Sequence, residues 1–301
     1  MISAAILHEC LEVIAHGLDH PEGICVTPDG TVFVSGEAGQ LYEIVDDEPV
    51  ERLTTGGFLL GLAADAAGRI YACDLRHRCV WRIEPGTWER EVFTAGTSDV
   101  PFVTPNWGAF DSKGRFLVTD SGEWNRSNGR ILVVTPDGVT RVWCTAAPNF
   151  PNGLAVAPDE SCVFVLESTP GRLLSIELRS DGSAGHASVL AEMGDAVPDG
   201  VAVAEDGSLV IACYRPDVIY RWHPDDGRLE VLAEDRQGTL LAAPTNVIFV
   251  GAELDEILVP NIGRWHLTRF RPGFRGMPLF YPTDEQLGLA TDSEKSEKEE
   301  R

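Results

Sequence analysis

The chain has 301 residues, with 47 acidic and 24 basic side chains, a formal charge of −23 at pH 7 and a hydrophobic share of 44%. Those values fit a soluble globular protein of one large or two small domains, and no apolar run reaches the length of a transmembrane helix. The strong negative charge argues against nucleic acid and anionic membrane as partners, since both would repel it.

The N-terminal stretch lacks a basic n-region and carries Glu9 and Glu12 inside its apolar run, which makes it a poor signal peptide. Seven cysteines, an odd number without a C-x-x-C, read as small buried hydrophobes of a cytoplasmic protein. Cys73 and Cys79 fall on neighbouring predicted strands, but the compartment argues against a disulfide between them.

In chain order, one phrase keeps returning. It reads Pro21-Glu22-Gly23-Ile24-Cys25-Val26 near the start, Pro151-Asn152-Gly153-Leu154-Ala155-Val156 in the middle and Pro198-Asp199-Gly200-Val201-Ala202-Val203 further on. Aligned on the position that Asn152 occupies, the anchors are Glu22, Gly61, Asn106, Asn152, Asp199 and Asn246, at gaps of 39, 45, 46, 47 and 47 residues. A period of this size signals a repeat architecture. Each anchor opens a short apolar strand that ends in a turn such as Pro28-Asp29-Gly30 or Glu205-Asp206-Gly207, where Asp-Gly supplies the positive φ of a tight hairpin.

A second strand follows each turn, over 31–35, 69–73, 115–119, 161–166, 208–213 and 256–259. Third strands are expected over 40–45, 80–84, 130–135, 172–178, 218–223 and 266–271, and fourth strands over 50–54, 89–94, 140–145, 187–191 and 228–233. These runs are rich in Val, Ile, Phe and Tyr, as half-buried pleated surfaces favour. The pattern is all-β and predicts a six-bladed β-propeller with four antiparallel strands per blade. The sixth unit lacks its own fourth strand. Segment 9–15 is expected to supply it and close the ring, because an open edge is a liability. One propeller domain is thus predicted over 1–290, followed by a disordered charged tail over 291–301.

The first strand of each propeller blade lines the central channel, so the anchors converge at one mouth. An Asn or Asp at a single strand start ordinarily bonds nearby backbone. Oxygen donors at five of six equivalent positions instead suggest a hard-cation site, for which calcium is the natural occupant. The ring holds no His or Cys, which makes a zinc-type site less natural. The loops between second and third strands share that face, and they bring Arg76, His77, Trp124, Arg215, Trp265 and His266 to the rim as candidates to meet a substrate.

These motifs resemble those of the regucalcin, gluconolactonase and luciferin-regenerating enzyme family. The resemblance rests on His20-Pro21-Glu22-Gly23, Thr104-Pro105-Asn106, Phe150-Pro151-Asn152-Gly153-Leu154 and Val197-Pro198-Asp199-Gly200, with Asn261-Ile262-Gly263-Arg264-Trp265 and Gly276-Met277-Pro278-Leu279 near the end. It implies one divalent metal held by Glu22, Asn152 and Asp199, calcium first, with zinc, manganese or magnesium as alternatives. It also implies substrate contact at Asn106, beside which stands Trp107.

The implied reaction is metal-assisted hydrolysis of a sugar lactone or a less polar lactone, the metal polarising the carbonyl while a water is activated. Asp199 is the candidate base, and a metal-bound hydroxide is the rival. Relatives often place an Arg just before the substrate Asn. Here Phe102-Val103-Thr104-Pro105 stands there, and with Phe58 and Phe150 nearby it favours a less polar substrate. Aryl ester or organophosphate hydrolysis on the same metal, and a non-enzymatic calcium-binding propeller, are the alternatives. The oligomeric state has no signature in the sequence.

Overall fold

In the computed structural model, residue 6 and residues 8–289 are described. The expected charged tail over 291–301 lies outside the described residues. The chain forms six four-stranded antiparallel sheets, arranged as the blades of a propeller. Each of the first five blades is built in chain order from the channel outward. The fourth, for example, runs Pro151–Val156, Cys162–Glu167, Arg172–Leu178 and Ala184–Glu192. The predicted strands are present, with ends that shift by a residue or a few.

The sixth blade is completed from the other end of the chain. Glu12–Ile14 pairs antiparallel with His266–Phe270, in the register Glu12↔Arg269, Val13↔Thr268 and Ile14↔Leu267. Ile14 joins a buried cluster with Leu18, Ile24, Val26, Leu258 and Leu267, so the seam between the sixth and first blades is closed by apolar packing. Arg269 adds ion pairs to Glu12 at 2.9 Å and to Asp47 at 2.8 Å. Both acid partners are solvent-exposed, and such pairs are worth only about 0–1 kcal/mol each.

The core lies between blades. Leu117, Ile131 and Val133 of the third blade pack against Leu154, Val163 and Ile176 of the fourth. Leu166 and Leu173 of the fourth pack against Val201, Ile211 and Cys213 of the fifth. Residues of the two apolar faces therefore interdigitate as in a β-sandwich repeated around a ring. All seven cysteines are free. Cys73 stands across from Val80 and Cys79 across from Asp74, so the two do not face each other.

After Phe270 the chain becomes a strap under the far mouth of the channel. Met277 N–H donates to Val203 O at 2.9 Å, Gly276 N–H to Leu254 O at 2.8 Å, and Tyr281 Oη–H to Val26 O at 2.9 Å. Ala66 N–H donates to Pro282 O at 3.0 Å and Gln286 Nε2 to Ser112 O at 2.7 Å. The strap thus runs from the fifth and sixth blades past the first to the second and third.

Candidate metal centre

Four of the six anchors, Gly61, Asn106, Asn152 and Asp199, stand where the ladder between first and second strands breaks register. The shifts lie between Leu59 and Leu62, Pro105 and Trp107, Pro151 and Leu154, and Pro198 and Val201. A bulge of this kind re-aims a side chain and bends the strand, and it presents Asn106, Asn152 and Asp199 at the channel mouth. The residue after two of the anchors is glycine for a steric reason. A Cβ on Gly153 would lie 2.4 Å from Asp199 O, and one on Gly23 would lie 2.0 Å from Leu60 O. Backbones of successive inner strands approach closely there, which draws the anchors together.

Hydroxyls tie the ring from blade to blade. Asn106 Nδ2 donates to Ser121 Oγ at 3.0 Å, and Ser121 Oγ–H donates to Pro151 O at 2.7 Å. Asn152 Nδ2 lies 3.3 Å from Ser168 Oγ, and Ser168 Oγ–H donates to Pro198 O at 2.8 Å. Ser35 Oγ accepts from Gly23 N–H at 2.7 Å, and Thr245 Oγ1–H donates to Glu22 O at 3.1 Å. Behind these stand buried polar residues at the ends of the second strands. Asp120 Oδ1 accepts from the backbone of Val103 and Thr104 at 3.0 and 2.7 Å, Glu167 Oε1 from Asn149 at 2.7 Å, and Asn261 Oδ1 from Ala242 at 2.8 Å. They fix the loop that leads into each anchor. The sequence carries this signal as Ser35, Asp74, Asp120, Glu167 and Asn261, which close five of the six apolar second strands.

Two carboxyls share this confined mouth. Burial pushes the Glu22 carboxyl up to about 8, and the negative charge of Glu37 adds to the shift. Asp199 is held well above the usual carboxylate range by burial first and by Glu22 second, against an opposing hydrogen bond from Asn152. Asn152 is 5% exposed, and its Oδ1 is buried without a hydrogen-bond donor. A lone acceptor beside two mutually repelling carboxyls calls for positive charge. The donors are oxygens, as calcium and similar hard ions require. Among the described residues no cluster of three or more His, Cys, Asp and Glu gathers anywhere. The set that the channel mouth does hold, two carboxyls and an amide oxygen, has the donor chemistry of an oxygen-coordinated divalent ion.

Asn246 belongs to the ring but turns differently. Its Oδ1 accepts from its neighbour's Val247 N–H at 2.7 Å, which leaves the buried Nδ2 without an acceptor. Trp107 does not stand at the mouth. It is 8% exposed and packs with Leu117, Ile131 and Leu154 between the third and fourth blades. Phe102 is likewise buried, at 1% exposure. The rim does carry aromatics. Trp124 and Trp265 are 51% and 48% exposed, Trp124 against Phe150 with ring centroids 4.7 Å apart and Trp265 against His20 at 4.8 Å. His77 is tied to Asp74 at 2.8 Å, and Arg215 lies over Tyr214. His266 is buried beside Leu240 O at 3.1 Å, and burial lowers its basicity.

A six-bladed propeller with an oxygen-lined, acid-bearing channel mouth is the class that fold and site define. Residues 37–262 match the model of the SMP-30/gluconolactonase/LRE-like region, and the chain belongs to that family. It is 34% identical over 188 residues to Lactonase drp35 of Staphylococcus aureus, an alignment covering 61% of this chain and 49% of the relative. The chain spans half or less of the length of the curated relatives it matches. A gluconolactonase of Xanthomonas campestris superposes with a TM-score of 0.75 at 19% identity, covering 87% of this chain and 89% of that one. A calcium-binding regucalcin of Agrobacterium tumefaciens gives 0.73 at 16% identity, covering 90% and 96%. At those identities the two structures speak for the fold.

Proposed function

We propose that this chain is a lactone hydrolase whose channel mouth holds one divalent cation, calcium first, between Glu22, Asn152 and Asp199. The observation that carries this reading is the unpartnered, buried Oδ1 of Asn152 beside two carboxyls held above their ordinary range. Names among the relatives, a lactonase and a gluconolactonase, support the same reaction class.

When bound, the cation supplies Lewis acidity toward the lactone carbonyl and offsets the charge of the acids. The chain's own residues do the rest. Asp199 accepts a proton from the attacking water and later returns it to the ring oxygen released on opening. Asn106, fixed by Ser121, offers its amide to a substrate oxygen. Water adds to the carbonyl carbon, the acyl–oxygen bond breaks, and a hydroxy acid leaves.

Within this reading the rim favours a lactone with an apolar portion, since Trp124 and Trp265 present exposed faces there and no Arg precedes Asn106. Turnover of aldonolactones against alkyl-substituted lactones tests it. Faster turnover of the alkyl series is expected, and equal turnover removes the apolar preference. Asp199→Ala is expected to abolish hydrolysis in a protein that still folds; retained turnover removes Asp199 from the mechanism. Hydrolysis of aryl esters or phosphotriesters in preference to every lactone would move the reading to that class.

A further inference from the structure

The far half of the channel holds a cavity that this reaction does not use. Its volume is about 610 Å³, and Glu22, Asn106, Asn152 and Asp199 are absent from its wall. The inner strands of all six blades form the wall, and Met277 to Tyr281 of the strap form its floor. Four inner strands place an alanine here, Ala63, Ala109, Ala155 and Ala202, and each stays partly accessible rather than packed over. Small side chains at equivalent points of successive blades keep the channel open where larger ones would fill it. The size falls within the range of small-molecule pockets, about 300–1,000 Å³.

The wall carries no Lys, Arg or His. Two buried polar side chains break its apolar character, Thr27, whose hydroxyl is bonded to Asp29 Oδ1, and Asn246. Asn246 lines the cavity at 1% exposure, its Oδ1 already engaged by Val247 N–H, and its Nδ2 has no partner. A buried N–H donor without an acceptor is a standing cost that a suitable ligand atom relieves.

The geometry points to a second small-molecule site: a neutral, largely aliphatic ligand with one hydrogen-bond acceptor, such as a ketone, ester or alcohol oxygen. Asn246 Nδ2 itself is closed off from the cavity, so the amide turns to meet the acceptor, and the chain extends over the alanines toward the strap. An anionic head group is disfavoured, because no cation lines the wall, Asp29 stands at its edge and the protein carries a charge of −23.

The test titrates the full-length protein with methyl hexyl ketone and with octanoate, by calorimetry and by indole emission. Trp107 lines the cavity and is exposed to quenching by a bound ketone. Saturable ketone binding is expected, with octanoate weaker by about tenfold or more. Trp107→Phe should remove most of the quenching. Asn246→Leu should weaken the ketone about three- to tenfold, one neutral hydrogen bond. Ala155→Phe and Ala109→Phe fill the space and should abolish ketone binding while lactone turnover is unchanged. Absence of saturable ketone binding to the unmodified protein overturns the proposal, as does equal affinity for octanoate. Binding that persists in both filled variants, checked as folded by circular dichroism, overturns it too. The readout is binding, so its failure is distinct from a failure to hydrolyse lactones.

Discussion

Replacing Gly153 by alanine should damage the candidate site more than the fold. The added Cβ would stand 2.4 Å from Asp199 O and 3.0 Å from Gly200 Cα, both backbone atoms that cannot swing aside. Ordinary contact begins near 3.4 Å, so the inner strands of the fourth and fifth blades must separate by about 1 Å. Overpacking of this kind costs about 1–3 kcal/mol. In a chain of this length each kcal/mol is worth roughly 2 °C, so the melting temperature should fall by roughly 2–6 °C. The same displacement separates the Asn152 amide from the Asp199 carboxyl, and a misplacement of about 1 Å can lower turnover about 100-fold. Thermal unfolding and lactone turnover measure the two effects. Gly138→Ala is the control, since Gly138 has a φ of +78° with nothing within 4 Å of an added Cβ. It should lose about 1 kcal/mol to backbone strain and keep its turnover. Unchanged stability and turnover in Gly153→Ala, or equal loss of turnover in both variants, would refute the reasoning.

The pH dependence of stability follows from the two raised carboxyls. In the folded, metal-free protein Glu22 titrates near 8 rather than at its ordinary 4.5, and Asp199 shifts the same way. Such groups hold protons that the unfolded chain releases, so their contribution is full below about 4.5 and lost as the pH rises through about 8. Thermal unfolding in chelator should therefore show stability declining across that window, and added calcium should raise it most at the alkaline end. A calcium gain independent of pH would contradict this. Asp199→Asn removes one of the repelling charges, so its chelated form should melt higher than the parent at pH about 8 while turnover is lost. Ile14→Ala empties a buried site at the seam between the sixth and first blades; a loss of about 2–5 kcal/mol is expected in denaturant unfolding. A loss below about 1 kcal/mol would mean that the N-terminal strand does not close the ring.

The periodic part of the structure was legible because periodicity is a property of sequence. Glu22, Asn106, Asn152, Asp199 and Asn246 recur at one blade's spacing, and the fold brings them to equivalent points of the ring. Ser121 and Ser168 carry no distinct signal, since a serine after an apolar strand has the pattern of an ordinary turn residue, and only the fold brings its hydroxyl to the next blade. Trp107 follows an anchor directly, and it packs with Leu117, Ile131 and Leu154 between blades while one side of it borders the channel cavity below the mouth. His266, read as a rim residue, is buried beside Leu240 O. Asn246 shares its repeat position with Asn152, yet its Oδ1 is engaged by a backbone N–H where in Asn152 the Nδ2 is the engaged atom, a difference that no pattern of residue types encodes. The strap after Phe270 leaves no signature in the repeat, because its contacts are single hydrogen bonds to several blades, without a period of its own.

The measurement that bears most directly on the central claim is lactone turnover by the purified protein before and after removal of divalent ions with a chelator. Glu22, Asn152 and Asp199 around a required cation predict that turnover is lost on chelation and returns when calcium or another divalent ion is added back. Turnover that is unaffected by exhaustive chelation, with the metal shown to be gone by elemental analysis, would contradict it.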